Sequence, residues 1–167
     1  TDNVVRIKGG KTIRSSNVFW VGGVKANSLA GLNEDVYEKG RLVVDDYNRV
    51  KGYDNIFSVG DTCLLINDKH SPKGHAQVAQ VALQMAKNLA KNLNNKAQGK
   101  DNPKKFVYSD RGSLATIGRN AAVADLGRFK FSGRIAWWLW LWVHLLSIIG
   151  MKNKVSVFLD WVWSYIT

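Results

Sequence analysis

The spacing of apolar residues predicts short strands in the first half of the chain. Val4–Ile7 and Lys11–Arg14 flank a turn at Lys8–Gly10, a pattern typical of a β-hairpin. Three later apolar runs have the length and composition of buried strands. These runs are Val18–Val21, Leu42–Val44 and Ile56–Val59.

From His75 the spacing of apolar residues changes and predicts a helix that ends near Asn94. Its apolar positions share one face, which leaves a polar stripe along the helix. The stripe consists of Gln77, Gln80, Gln84, Lys87 and Lys91. A solvated face explains the stripe, and so does a pair of amides aimed at a ligand head group; the spacing does not decide between them. Asn94–Lys105 is predicted to be a basic linker.

The last third of the chain predicts a small antiparallel sheet followed by two helices. The expected strands lie between Phe106 and Phe131, at Phe106–Tyr108, Ser113–Gly118 and Ala121–Ala124. From Gly133 the pattern becomes helical. A break at Gly150–Asn153 precedes a second helix over about Lys154–Tyr165.

The first tail helix is apolar from Ile135 to Ile149 except for His144 and Ser147. A helix of this length covers about 22 Å, whereas the hydrocarbon core of a bilayer is about 30 Å thick. Trp side chains favour the head-group level, so both helices are expected to lie in a membrane surface. The alternatives are a buried core helix or an oligomer interface. The candidate anchors are Trp137, Trp138, Trp140, Trp142, Trp161 and Trp163.

The net charge and the chemically reactive residues limit the functions that the protein could have. The formal net charge is +11, which suits an anionic partner. Nucleic acid is disfavoured because the aromatic residues crowd into an apolar helix instead of alternating with cations. The single Cys63 excludes an internal disulfide and predicts a small packed side chain in a reducing compartment. No nucleophile is convincing, and His70, His75 and His144 lack the spacing of metal ligands.

A glycine and a carboxylate follow the run Ile56–Val59. Gly60 would let the backbone approach a ligand closely, and Asp61 could accept hydrogen bonds from sugar-type hydroxyls. If Ile56–Val59 is a strand of an α/β sheet, both residues lie at its carboxyl edge, where such folds bind ligands. An ordinary turn would use the same two residue types.

Four segments resemble, in their order, the carboxyl-terminal part of type II NADH dehydrogenases, which are single-subunit NADH:quinone oxidoreductases containing FAD. Trp20–Val24 is similar to the strand and glycine turn that return from the NADH domain to the FAD domain. Asn55–Asp61 is similar to the second FAD motif, and Ala79–Gln84 matches the family's AQxAxQ segment. Tyr108–Arg119, together with the Trp-rich tail, resembles the membrane-anchoring domain.

This resemblance implies roles for individual residues. Gly60 and Asp61 would hold the ribityl and phosphate region of FAD. Gln80 and Val81 would face the pyrimidine end of the flavin through backbone N–H groups. Gln80 would also border a quinone pocket.

The same resemblance implies further residues of the quinone site, a location in the cell and partners. Gln84 would orient the quinone head group, and Ile117 would line the entrance. Many relatives carry Lys where this chain has Ser109. The implied protein is peripheral, on the cytoplasmic face of a bacterial inner membrane, and uses NADH, quinone and an anionic membrane surface. It is expected to self-associate through its C-terminal region.

The expected fold is an α/β fragment, the end of a two-dinucleotide-binding flavoprotein, followed by a small antiparallel sheet and two amphipathic helices. Residues 1–24 would end the NADH domain and 25–100 the FAD domain, with the sheet at 101–132 and the anchoring helices at 133–167. No Gly-x-Gly-x-x-Gly fingerprint occurs in the sequence, which predicts a fragment that is inactive and binds FAD weakly or not at all. The alternatives are a sulfide:quinone oxidoreductase or another quinone-linked flavoenzyme, and a non-enzymatic basic module that binds membranes.

Overall fold

A computed structural model of the chain describes residues 3–66, 68 and 71–167. The chain divides into two compact units, Thr1–Val107 and Tyr108–Thr167, and each is described by itself. His70 and the first two residues of the predicted segment 1–24 lie outside the described residues.

The first unit contains a hairpin and a three-stranded mixed sheet. Strands β1 (Val4–Arg6) and β2 (Thr12–Arg14) pair antiparallel, which confirms the predicted hairpin. The mixed sheet has the order β3–β4–β5, with β4 antiparallel to β3 and parallel to β5. Its strands are β3 (Tyr37–Glu38), β4 (Arg41–Val44) and β5 (Cys63–Leu65).

Helix α1 (Ala79–Ala97) packs its apolar face on the first unit's core. Val81, Met85 and Asn92 are its buried residues, at spacings that keep them on one side of the helix. The helix begins four residues after the predicted start at His75. It also continues through the first residues of the expected linker and ends before Gly99, which adopts a positive φ of +73°.

Two of the predicted strands do not form. Val18–Val21 is irregular and strongly exposed, with Trp20 91% accessible, since no described strand pairs with it. Ile56–Val59 makes only an isolated bridge between Phe57 and Arg49. The strand of this region, β5, starts after Gly60 and Asp61, so these two residues lie before a strand and not at its carboxyl edge.

The predicted strand Phe106–Tyr108 is also wrong. The backbone N–H of Phe106 donates to the carbonyl of Asp46 (2.7 Å), but no ladder of such bonds follows in the described chain. The Phe106 ring is buried and meets the His75 ring edge to face at 5.6 Å between centroids. Side-chain packing therefore holds this segment in place of strand pairing.

The second unit is an antiparallel sheet covered by a helix. The sheet has the order β6–β7–β8, and β6 confirms the predicted bounds Ser113–Gly118. Ala136 of the first tail helix packs on Ala122 and Ala124 of β7, where small side chains allow close approach. The remaining elements are β7 (Ala121–Asp125), β8 (Lys130–Ser132), α2 (Gly133–Ser147) and α3 (Met151–Ile166).

Helix α2 forms as predicted, whereas α3 begins at Met151, within the predicted break at Gly150–Asn153. The break is confined to the residues up to Gly150, whose φ of +87° turns the chain. Most of α2 and all of α3 remain accessible beyond the contact with the sheet. No helix within the described ranges combines the length and the apolar composition needed to cross a membrane.

Candidate functional site

The turn at Gly60 is pressed against the first turn of helix α1. Gly60 is buried and has a φ of +69°, a conformation that side chains disfavour. A Cβ atom on Gly60 would lie 2.9 Å from the Cβ of Ala82. Only glycine therefore lets the Gly-Asp motif approach the helix this closely.

Hydrogen bonds fix the same turn from two sides. The side-chain amide of Gln77 donates to the backbone carbonyl of Asp61 (Nε2 to O, 3.0 Å). The hydroxyls of Ser58 and Thr62 lie 3.0 Å apart across the turn. The Asp61 residue itself is exposed. An exposed carboxylate on a fixed turn is suited to accept hydrogen bonds from hydroxyl groups.

Helix α1 starts without a capping side chain. Its N-cap residue is Val78, and its first turn has no acidic residue. The N–H of Val81 donates to the Val78 carbonyl (3.1 Å). Gln80 and Gln84, one turn apart, are half-buried, unlike the exposed Lys residues that continue the stripe. The positive end of the helix dipole thus lies close to the Gly60 turn, which contacts Ala82.

Arg41 ties the sheet to the segment before the helix. Its Nε donates to the Cys63 carbonyl (2.7 Å) and its Nη2 to the His75 carbonyl (3.2 Å). These bonds connect the start of β4, the start of β5 and the chain that enters α1. This role of Arg41 could not be predicted, because nothing in the sequence distinguishes Arg41 from a solvated cation at a strand start.

His75 is a buried titratable residue beside this arrangement. Its Nε2 lies 3.1 Å from a carboxylate oxygen of Asp68. Burial lowers the pKa of the imidazole, and the Asp68 carboxylate opposes that shift. From the sequence, His75 is only the predicted start of a helix and a histidine without metal-ligand spacing. No group of three or more potential metal ligands occurs among the residues that the structure describes.

Cys63 is fully buried, and its Sγ lies 3.3 Å from the Sδ of Met85 on α1. Burial raises the pKa of the thiol to about 11, and the nearby Arg41 only partly offsets this. A thiol in this environment is not a nucleophile at neutral pH.

The candidate membrane anchors lie on α2 and α3 of the second unit. Trp138, Trp142 and Trp163 are exposed over more than half of their surface. All of the candidate anchors except Trp163 line a groove of about 550 Å³ between the two helices; they are Trp137, Trp138, Trp140, Trp142 and Trp161. Ile117 on β6 is exposed and belongs to this unit, whereas Gln84 belongs to the first.

Comparisons with protein families give two matches. Residues 1–86 match the pyridine nucleotide-disulphide oxidoreductase family, and residues 111–167 match the NDH2 C-terminal domain.

Curated relatives have similar sequences. The type II NADH:quinone oxidoreductase Ndh of Mycobacterium tuberculosis is 35% identical over 94% of this chain and 34% of its own length. A probable NADH dehydrogenase of Dictyostelium discoideum is 34% identical over 96% of this chain and 34% of its own length. The chain thus spans about a third of the length of these relatives.

A solved structure supports the fold. NDH2 from Plasmodium falciparum, in complex with NADH, superposes with a TM-score of 0.63 and 21% identity. The superposition covers 73% of this chain and 38% of that protein.

Proposed function

We propose, from the premise that the chain belongs to the pyridine nucleotide-disulphide oxidoreductase family, that it is the electron-transferring end of an NADH:quinone oxidoreductase. The resemblance to the carboxyl-terminal part of a type II NADH dehydrogenase agrees with the match of residues 111–167 to the NDH2 C-terminal domain. The proposed parent is an enzyme that takes a hydride from NADH and delivers two electrons to quinone.

The contact between Gly60 and Ala82 carries this proposal. It brings the Gly-Asp motif and the AQxAxQ helix together, although 20 positions separate Gly60 from Gln80. Membership of the family implies a flavin cofactor, and FAD is the form we propose. A flavin needs both polar acceptors for its ribityl hydroxyls and donors for its electron-rich ring. The exposed Asp61 and the start of α1 supply these two kinds of group.

The flavin would supply the redox chemistry, and the protein would position it. Gly60 would let the backbone approach the ribityl–phosphate region, and the Asp61 carboxylate would accept hydrogen bonds from its hydroxyls. Gln80 and Val81 would direct backbone N–H groups toward the pyrimidine end of the ring. The Val81 N–H would share this contact with the Val78 carbonyl, as bifurcated bonds at helix ends do.

The quinone would lie beside the amides of α1. The resemblance of Ala79–Gln84 to the family's AQxAxQ segment supports this role, and both glutamines are half-buried instead of fully solvated. Gln84 would orient the head group. Ile117 stays the proposed residue at the quinone entrance on the sequence argument alone.

The tail would place the protein on an anionic membrane surface, on the cytoplasmic face of a bacterial inner membrane. Support comes from six Trp residues in two consecutive helices with few carboxylates nearby. We propose that residues 1–24 and 25–100 complete an NADH and an FAD domain of a two-dinucleotide-binding fold. Residues 101–132 would form the sheet and 133–167 the amphipathic anchors, through which copies would also associate.

The sulfide:quinone alternative is not better supported, because its chemistry requires reactive cysteines and the single Cys63 is buried. A basic membrane-binding module without enzymatic activity is the remaining alternative.

The visible absorption spectrum and intact mass of the native gene product test the proposal first. A flavin spectrum together with NADH-dependent quinone reduction is the expected result. A colourless product without this activity would contradict it and leave the membrane-binding module.

Variants of the active product then test the assigned residues. Asp61→Ala is expected to lower flavin retention, whereas Gln84→Ala should raise KM for quinone at unchanged flavin content. Lys91→Ala, on the same helical stripe but exposed, is the matched control and should change neither. Equal effects of Gln84→Ala and Lys91→Ala would refute the quinone site on this helix.

A further inference from the structure

The groove between α2 and α3 is a concave pocket and not a flat apolar face. The two helices meet through aromatic rings at two levels, Trp137 with Tyr165 (6.0 Å between centroids) and Trp140 with Trp161 (6.2 Å). These wide rings keep the helix backbones apart and leave about 550 Å³ of space. This volume lies within the range of about 300–1,000 Å³ that small-molecule sites occupy.

A fixed cation lies at one end of the groove. The Nη2 of Arg119 donates to the carbonyls of Ser164 (2.9 Å) and Tyr165 (3.3 Å) near the C-terminus of α3. Its guanidinium carbon lies 5.6 Å from the centroid of the Tyr165 ring. Both of these bonds use one nitrogen, whereas a guanidinium has five N–H donors. The position of Arg119 is therefore set by α3, while its charge remains exposed.

The charged groups that line the groove have one sign. Among the described residues that line it, Arg119 is the ionic residue and no carboxylate is present. The remaining wall is aromatic and aliphatic, with Leu145 and Phe158 beyond the aromatic contacts. An occupant that matches this wall has an apolar chain and an anionic group at one end.

We propose that the groove binds an acyl chain of one anionic phospholipid, with its phosphate at Arg119. Arginine matches a phosphate through parallel N–H bonds, which favours this head group over a neutral one. The proposal goes beyond surface association, since it requires one specifically bound lipid per chain. It does not depend on electron transfer between NADH and quinone.

Native mass spectrometry of the full chain in detergent tests this. Phosphatidylglycerol and phosphatidylcholine with the same acyl chains are added separately. We expect saturation at one phosphatidylglycerol per chain and a preference of about tenfold over phosphatidylcholine, the effect of one charge-assisted contact. Arg119→Gln should abolish the preference. Arg128→Gln removes an equal charge from a residue outside the groove and should preserve it.

A second variant tests the cavity. Val162 lines the groove and is 39% exposed, so Val162→Trp should fill the space while far-ultraviolet circular dichroism stays unchanged. This variant should lose both lipids. Binding of several lipids without saturation, unchanged binding in a folded Val162→Trp variant, or equal effects of Arg119→Gln and Arg128→Gln would overturn the proposal. Sedimentation with vesicles tests surface association separately.

Discussion

At the scale of single residues, Gly60 and Cys63 lie three positions apart in the sequence but have different roles in the structure. Gly60 is required because its neighbour Ala82 leaves no room for a side chain. Cys63 is held in an apolar environment against Met85, which makes its thiol a packing group. The close approach at Gly60 supports the proposed flavin site, whereas the buried thiol of Cys63 excludes cysteine-dependent catalysis.

Cys63 should resist alkylation in the folded chain. With a pKa of about 11, only about one thiol in a thousand is ionised at pH 8, and burial also blocks access. Mass spectrometry after treatment with iodoacetamide should show an unmodified native chain and complete modification in urea. Rapid native modification would contradict the buried environment and revive the cysteine-dependent alternative.

Replacing Gly60 by alanine should destabilise the first unit by about 2 kcal/mol or more. About 1 kcal/mol comes from the positive φ and the rest from the contact with Ala82. Gly99→Ala is the matched control, because its φ of +73° is similar but its Cβ would meet open space. Urea unfolding should therefore show a clearly larger loss for Gly60→Ala. Equal losses of unfolding free energy in the two variants would show that the contact between Gly60 and Ala82 does not limit this position to glycine.

At the scale of elements, the sequence predicts those strands and helices whose formation depends on local periodicity. The strand Ser113–Gly118 and the helix α2 form as expected, and α3 forms with a start three residues earlier than predicted, because alternation or helical spacing continues long enough to specify each element. Val18–Val21 has the composition of a strand, but a strand needs a partner, and among the described residues none pairs with it.

The start of α1 shows why the details of the candidate site could not be predicted. His75 fits the helical pattern, yet its carbonyl accepts a hydrogen bond from Arg41 and its ring packs on Phe106. These contacts hold the residues before Val78 outside the helix. They join residues more than 30 positions apart, so periodicity within one segment does not reveal them. The sequence does give the residue types of the Gly60–Asp61 turn and the glutamines of α1.

The environment of His75 predicts a pH-dependent stability. The unfolded imidazole has a pKa of about 6.5, whereas burial lowers the pKa in the folded chain. The unfolded state therefore binds the proton first as the pH falls. The stabilisation is complete above about pH 6.5 and is lost as the pH drops through the folded pKa.

Urea unfolding at several pH values between 7.5 and 5 measures this effect. The free energy of unfolding should fall with pH in the unmodified chain and fall less steeply in His75→Gln. His144→Gln, which changes an exposed residue on α2, should keep the original slope. Identical slopes in all three chains would show that His75 does not contribute.

At the scale of the whole molecule, polar and apolar surface are distributed unequally. The net charge of +11 favours solubility and anionic partners. Large exposed aromatic residues, in contrast, accumulate on the tail helices of the second unit. Apolar surface of this extent marks an interaction site in soluble proteins.

We therefore expect the chain to self-associate in solution without detergent. Light scattering should detect oligomers that dissociate when a non-ionic detergent covers the tail. The double variant Trp142→Ser, Trp163→Ser should weaken association, because both side chains are largely exposed and contribute little to internal packing. Trp20→Ser, in the exposed run of the first unit, is the comparison. A clean monomer, or an equal effect of Trp20→Ser, would contradict association through the tail.

The side chain of Asn92 has a practical consequence for engineering. Its amide accepts the Lys104 N–H (2.9 Å) and donates to the Lys104 carbonyl (2.8 Å), so the chain is clamped on α1 just beyond residues 98–103. Lengthening a loop whose ends are fixed costs little conformational entropy. The N–H groups of Gly99 and Lys100 close the end of α1 by donating to the Lys96 and Asn95 carbonyls. The position after Asp101, which is exposed, lies beyond these bonds and is therefore suited to insertion of an epitope or a fluorescent label.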